Sequence, residues 1–408
     1  MESLKVWNNI KLFKCNQFAE SNTIESHYFE LESTNVEHIR SNEEIMLHKY
    51  RNRINEYEIK LPNNKNWEYY KKAVNPYEFV YTQKKYDNFP DSIYYLKPLS
   101  RSYFKMIEIL DLINFFGNVE NVKSAHVCEG PGGFIEALFD EASKKKKKIE
   151  TSVAMTLKSK QTNVPGWKKA AHFLKKHRCI RIIYGEDETG NIMKPENQQY
   201  FIDYCNEKVN IFTADGGFDF SYDYENQEQL IFPLLIASTK IGLEVLKKGG
   251  VFILKFFDFY HKSTIDLLYF LSCHFTEWTL YKPATSRPCN PEQYFIGKGF
   301  IGCSDKIFDI MRLWCSILEN NQPLESLLKV ENAEFNIIIN ELRQKSFKSQ
   351  TEYLERVFYM IDTNDEDIIK KCLKNNELTS YEWCVRFKVY TNRLTEGLHN
   401  DLQVSVQQ

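Results

Sequence analysis

Between residues 120 and 302, short apolar runs alternate with longer stretches in which apolar residues recur every three or four positions. The runs are SAHVCE (124–129), TSVAMT (151–156), CIRIIY (179–184), NIFTAD (210–215) and VFILKFF (251–257). Strands that are apolar on both faces belong in a parallel sheet covered on both sides, joined by right-handed helical crossovers. The pattern therefore predicts an α/β fold with a doubly wound, mostly parallel sheet. FTEWTLY (275–281) and QYFIGKGFIG (293–302) are separated by a polar loop without a helix, which predicts an antiparallel pair at one edge.

Ahead of the sheet, RSYFKMIEILDLINFF carries apolar residues at 103, 104, 106, 109, 110, 113 and 115–116, predicting a helix that ends at Gly117. Residues 1 to about 90 are polar and aromatic-rich with weak periodicity, and read as an irregular extension. Beyond about 305, IFDIMRLWCSILENN, PLESLLKVENAEFNIIINELRQKSF, TEYLERVFYMI and DEDIIKKCLKNN read as successive amphipathic helices. The expected organisation is an extension over 1–95, a catalytic domain over 96–304 and a helical region over 305–408, the last a surface for a protein partner.

Composition narrows the setting. The ten cysteines of the 408 residues form no C-x-x-C pair and no Cys/His cluster of metal spacing. Reduced thiols, no bound metal and an intracellular location in nucleus or cytoplasm, or in the factory or virion of a virus, are the expectation. No apolar window is long enough to cross a membrane. A net charge of −2 leaves any affinity for nucleic acid to local patches. One such patch is Lys144 to Lys148, which could meet phosphates but is more often a solvated loop.

Candidate chemistry begins at HVCEGPGGFIEAL (126–138), where glycines between a strand and a helix let a ligand approach the backbone at a helix N-terminus. A dinucleotide loop would carry a third spaced glycine and an acidic residue at the end of the next strand. Gly130, Gly132 and Gly133 are followed by Phe134 and Ile135, and the next strand ends in Thr156 and Lys158, so a dehydrogenase is disfavoured. Asp215 closes one strand ahead of two glycines, Lys255 interrupts an apolar strand, Glu292 opens the last strand and Lys105 lies on the preceding helix. Each alone could be a cap, a snorkelling side chain or a wet surface residue. Together, two cations and two carboxylates at strand ends suit removal of a proton from a ribose hydroxyl, by a lysine whose pKa is lowered by burial beside another cation.

Seven segments in order, RSYFKM, VCEGPGGFIEAL, AMTLK, GNIMKPEN, TADGGFD, ILKFFDF and YKPATSRPCNPEQYFIGKGF, resemble the FtsJ-type (RrmJ-type) ribose 2′-O-methyltransferases. Within that family they are similar to the mRNA cap enzymes of eukaryotes and large DNA viruses. The resemblance implies a Rossmann-like fold and S-adenosylmethionine as cofactor. It also implies methyl transfer to the 2′-hydroxyl of the first transcribed nucleotide of capped mRNA. The family's catalytic tetrad falls on Lys105, Asp215, Lys255 and Glu292, with Lys255 as base. Cofactor contacts fall on Ser100, Cys128, Glu129, Gly130, Pro131, Gly132, Gly133, Phe134, Asn191, Ile192 and Asp215. Relatives often have Asn where Ser100 stands and Asp where Asn191 stands; the Asn carbonyl can still accept from an adenine amine.

RNA contacts of the family fall on Asn226, Gln227, Ser286, Arg287 and Asn290. A methylated guanine needs stacking aromatics, for which Trp67, Tyr69, Tyr70 and Tyr77 are candidates in bulk, against ordinary packing for any one of them. Two alternatives stand beside the cap reading. One is a 2′-O-methyltransferase of ribosomal or transfer RNA; the other is a non-catalytic RNA-binding subunit that kept the fold.

Overall fold

A computed structural model describes residues 11–14, 41–61, 65–82, 86–117, 119–159, 165–217, 226–328 and 331–389; the rest of the expected N-terminal extension and residues 390–408 lie outside these. In chain order the elements are β1 (Phe13–Lys14), α1 (Asn42–Lys60), α2 (Trp67–Val74), α3 (Ser102–Leu112), β2 (Asn121–Val127), α4 (Gly133–Lys144), β3 (Lys148–Met155), α5 (Ala171–Lys176), β4 (Ile180–Ile183), α6 (Pro195–Tyr204), β5 (Val209–Ala214), α7 (Gln227–Val245), β6 (Leu246–Phe256), α8 (Lys262–Ser272), β7 (Phe275–Tyr281), β8 (Gln293–Phe300), α9 (Asp305–Glu319), α10 (Ala333–Thr363) and α11 (Glu366–Arg386).

The sheet runs β1-β7-β8-β6-β5-β2-β3-β4. Strands β2 to β6 are mutually parallel, and β8 runs antiparallel to both β6 and β7. From β2 the chain steps to β3 and β4 on one side and then returns to β5 on the other, so the switch point lies between the carboxyl ends of β2 and β5. Open α/β sheets bind their ligands at such a crevice.

Register decides which side chains meet. His126 pairs with Thr213, and Lys255 with Tyr294. Because side chains alternate along a strand, Ser124 and His126, Ile211 and Thr213, Ile253 and Lys255, and Tyr294 and Ile296 share one face. That face is covered by α3 and α4 through Ile107, Phe134 and Leu138. The other face buries Phe212, Phe252, Leu254 and Phe295 against Ile231, Leu267 and Trp314 of α7, α8 and α9.

The expected irregular extension contains two helices, a correction with a clear physical cause. Helix α1 buries few residues, chiefly Leu47 and Glu44, so its apolar stripe is too thin to show as periodicity. It is held by polar contacts to α10: Tyr50 donates to Glu355 at 2.7 Å and Tyr57 to Asp362 at 2.9 Å. The available signal was the start, where the Ser41 hydroxyl accepts from the Glu44 N–H at 3.2 Å, the S-x-x-E spacing of a capping box. Helix α2 packs Trp67, Tyr69 and Tyr70 into a cluster with Phe89 and Phe358.

Two further boundaries differ. The helix expected to reach Gly117 ends at Leu112, and Asn114, at φ 46°, turns the chain into a 3-10 turn. The stretches 323–347 and 351–361 do not form two helices: residues 323–328 form a loop, and Ala333–Thr363 is one 31-residue helix. The loop is held because Asp266 accepts from the N–H groups of Leu327 and Leu328 at 2.9 and 3.2 Å. Helix α11 extends ten residues past the expected stretch and buries Trp383 and Cys384 against α3.

Candidate active site

The quartet expected from strand ends assembles as two ion pairs. Lys255, near the end of β6, sets its Nζ 3.2 Å from Asp215 Oδ1, and Tyr294 of β8 donates to the same oxygen at 2.8 Å. Lys105 of α3 sets its Nζ 2.6 Å from Glu292 Oε1. Gly217 keeps the space beside Lys255 open, since a Cβ there would lie 3.3 Å from the Lys255 ammonium.

Burial and charge act in opposite directions here. Burial opposes the Lys255 charge, yet Asp215 and Glu292 outweigh it and raise its pKa. The direction is the opposite of the lowering expected from burial beside a second cation, because the two carboxylates favour the ammonium. Burial likewise opposes the Glu292 charge, and Lys105, Lys255 and Lys282 overcome it, taking the carboxyl down to about 2. Lys282, at the start of the 282–292 loop, is lowered to about 8 by burial against the pull of Glu292.

Lys282 and Glu108 were not singled out from sequence, and together they shape that loop. The Lys282 ammonium donates to the Asn290 carbonyl and side-chain oxygens at 2.7 and 2.9 Å and to the Glu292 carbonyl at 2.9 Å, tying the loop's two ends. Glu108, one helical turn beyond Lys105 and buried, accepts five bonds. Tyr281 OH and the Ala284 N–H reach one oxygen at 2.7 Å each. The Thr285 N–H, the Thr285 hydroxyl and Trp383 Nε1 reach the other at 2.9, 2.7 and 3.1 Å. A helix near the C-terminus is thus fastened to the loop beside Glu292. The spacing of Lys105 and Glu108 on one helix face was the legible hint.

Glu108→Gln places an NH₂ among donors, leaving buried groups without acceptors. The expected cost is about 2 to 4 kcal/mol in denaturant unfolding. Among folded molecules, amide hydrogen exchange across residues 282–292 is expected to quicken about tenfold as the loop loses its anchor. Unchanged exchange there would show that Glu108 does not hold the loop.

At the glycine loop, Cys128 turns the chain with φ 58° and Gly132 with φ 107°, a conformation suited to glycine. Gly133 is needed for a different reason: a Cβ there would meet the Ser100 and Ser102 hydroxyls at 2.2 and 2.4 Å. Ser100 therefore sits directly behind the loop. Phe134 is fully buried, its ring 5.7 Å from that of Tyr294. Burial pushes the Cys128 thiol up to about 12. Burial and nearby Asp215 push the Glu129 carboxyl well above its usual range. Glu129 Oε1 bonds Thr213 Oγ1, while Oε2 is buried without a hydrogen-bond partner among the described residues. Asn191 lies beyond β4, its side-chain oxygen accepting from the Met193 N–H at 3.0 Å, and Ile192 is buried.

The residues expected to hold RNA are differently placed. Asn226 is exposed just ahead of α7, and Gln227 is buried at its start. Ser286 is buried and bonds Asn290 Oδ1 at 3.3 Å. Arg287 points towards the N-terminal segment, with Nη1 3.0 Å from Glu68 and Nε 3.5 Å from Glu78. Trp67, Tyr69 and Tyr70 are buried in packing, and Tyr77 is partly buried against the core. Lys144 to Lys148 spans the end of α4 and the start of β3, at the amino end of the parallel strands, opposite the quartet. There Lys144 and Lys147 pair with Glu141 and Glu120.

Residues 98–300 match the FtsJ-like methyltransferase family. They form an FtsJ-like methyltransferase domain. Curated relatives include cap-specific mRNA (nucleoside-2′-O-)-methyltransferase 1 of Dictyostelium discoideum, 28% identical over 339 residues, or 74% of this chain and 44% of that protein. Methyltransferase 1 of Homo sapiens is 34% identical over 190 residues, or 44% and 22%. Methyltransferase 2 of Drosophila melanogaster is 28% identical over 287 residues, or 66% and 40%. The chain spans less than half the length of each. A solved ribosomal RNA methyltransferase from Plasmodium falciparum covers 50% of the chain at 16% identity and a TM-score of 0.36, too loose a likeness to bear on substrate. All four members of the ionic quartet, at 105, 215, 255 and 292, lie inside the FtsJ-like domain.

Proposed function

We propose that the domain transfers a methyl group from S-adenosylmethionine to the ribose 2′-hydroxyl of the first transcribed nucleotide of capped mRNA, with Lys255 as base. The observation that carries the proposal is the paired quartet, Lys255 with Asp215 and Lys105 with Glu292, at the sheet's carboxyl end. Relatives named as cap-specific mRNA 2′-O-methyltransferases support the substrate.

The residues fit the cofactor. The loop Glu129 to Gly133 opens α4, whose N-terminal amides suit a carboxylate. The unpartnered Glu129 Oε2 suits a cation. Asn191 and Ile192 offer a polar and an apolar contact for an adenine, with Ser100 backing the loop. When bound, the cofactor supplies an electrophilic methyl.

The chain's own task is to position a hydroxyl and take its proton. Asp215, itself bonded by Tyr294, holds Lys255, and Glu292 holds Lys105 near the same space. Because the carboxylates raise Lys255, its ammonium must lose a proton to solvent before it can act as base. The sign follows: kcat/KM should rise with pH, about tenfold per unit below the Lys255 pKa. A profile flat from pH 6.5 to 8.5 would contradict a lysine base.

The cap requirement is tested by methylation of matched RNA oligonucleotides with and without a 5′ cap. At least tenfold preference for the capped RNA is expected. Equal turnover would move the substrate to another RNA class.

A further inference from the structure

Five polar side chains of β2, β3, β5 and the glycine loop form an unbroken column inside the sheet. Ser152 Oγ lies 3.0 Å from Ser124 Oγ, which lies 2.9 Å from His126 Nε2. His126 Nδ1 lies 2.7 Å from Thr213 Oγ1, which bonds Glu129 Oε1. All five residues are at most 3% exposed, and the column ends at the orphaned Glu129 Oε2.

Such a chain has two complete hydrogen-bond assignments. With Glu129 protonated, it donates to Thr213, Thr213 to His126 Nδ1, His126 Nε2–H to Ser124, and Ser124 to Ser152. With Glu129 ionised every bond reverses: Ser152 donates to Ser124, Ser124 to Nε2, Nδ1–H to Thr213, and Thr213 to the carboxylate. The imidazole is neutral in both, in keeping with its burial, which takes the ring down to about 3. The two states differ by one proton. As each proton moves one place along the bonds already present, Glu129 gives its proton to Thr213 and Ser152 gives one up at the far end of the column.

We infer that Glu129 is the receptor for the α-ammonium of the methyl donor, and that donor binding ionises it, releases one proton to solvent and reverses the column through His126. This rests on the S-adenosylmethionine reading above. The charged groups around Glu129 explain why it waits for a cation. Asp215, just past β5, opposes a second negative charge. Lys255 from β6 favours that charge but is engaged by Asp215. His126 from β2, Cys128 just past it and Tyr294 from β8 are uncharged. An ammonium at the free oxygen changes that balance. Glu129 is the one carboxylate in the column, and its second oxygen is the column's unpartnered end.

The test is calorimetric titration of the full chain with S-adenosylmethionine between pH 5.5 and 7, where the donor's own α-amino group stays protonated, in buffers of different ionisation enthalpy. Release of about one proton is expected, with Kd falling up to about tenfold per pH unit until Glu129 is ionised without ligand. Glu129→Gln, whose amide can still donate to Thr213, should remove both effects. S-adenosylhomocysteine, which keeps the ammonium, should match the donor; 5′-methylthioadenosine, which lacks it, should release nothing. In the unaltered protein, the ¹⁵N shifts of His126 should move the ring proton from Nε2 to Nδ1 on binding, a readout independent of any variant's folding. Binding without proton release, release retained in Glu129→Gln, or a fixed tautomer overturns the inference while leaving the methyltransferase intact. Release with the donor but not with S-adenosylhomocysteine overturns the ammonium assignment. No binding at any pH overturns the cofactor reading and this inference with it.

Discussion

Alanine at Lys255 is expected to lower methyl transfer by about 10²- to 10⁴-fold, the range over which a positioned general base acts. The donor should still bind within a few-fold, because the glycine loop and Glu129 are untouched. Alanine also deprives Asp215 of its cation, so Lys255→Arg is the sharper variant. It restores a positive charge beside Asp215 but cannot lose its proton near neutral pH. Both variants should be similarly inactive in single-turnover assays with saturating donor. Arginine turning over at near the native rate would show that Lys255 supplies charge alone.

The second large effect concerns Glu292, where three cations meet one carboxylate. Glu292→Gln leaves Lys105 without its 2.6 Å partner and is expected to destabilise the fold by about 3 to 5 kcal/mol at neutral pH. The pH dependence has a definite sign. The native carboxyl is depressed to about 2, so its stabilisation is complete above the unfolded value near 4.5 and is lost as pH falls through 2. About 3 kcal/mol is involved. Denaturant titrations should therefore show the native and Glu292→Gln proteins converging by roughly that amount between pH 6 and 2. Parallel curves would place the acid sensitivity elsewhere.

The two edges of the molecule differ in how far sequence could expose them. Strands β2, β3, β5 and β6 are buried on both faces over most of their apolar runs and so were visible, although β6 begins five residues earlier, at Leu246, and passes through the exposed Lys247 to Gly249. Helix α1 is stabilised largely by Arg51, Tyr50 and Tyr57 reaching across to Asp258, Glu355 and Asp362, and such contacts leave no period in the chain. The merging of two stretches into α10 was hidden for a related reason, since polar residues face solvent along much of its length.

At the site, Asp215, Lys255 and Glu292 were legible because charges are rare at the ends of apolar strands, and Lys105, on the preceding helix, was legible as a second cation for the same set. The direction of the Lys255 shift was not, for it depends on the 3.2 Å approach to Asp215. The column through His126 depends on register: His126 and Thr213 are 87 positions apart and become neighbours only when β2 pairs with β5. Glu108 looked like one acid on a helix, and its five donors come from three distant segments.

The central claim, that the methyl group goes to the ribose 2′-hydroxyl of the first nucleotide, is tested most directly by locating that group. Capped RNA methylated with isotopically labelled donor, digested to nucleosides and resolved by mass spectrometry should carry the label on the ribose of the first nucleotide. An RNA whose first nucleotide is a 2′-deoxynucleotide should carry none. Label on a base, or undiminished label on the 2′-deoxy RNA, would contradict the account.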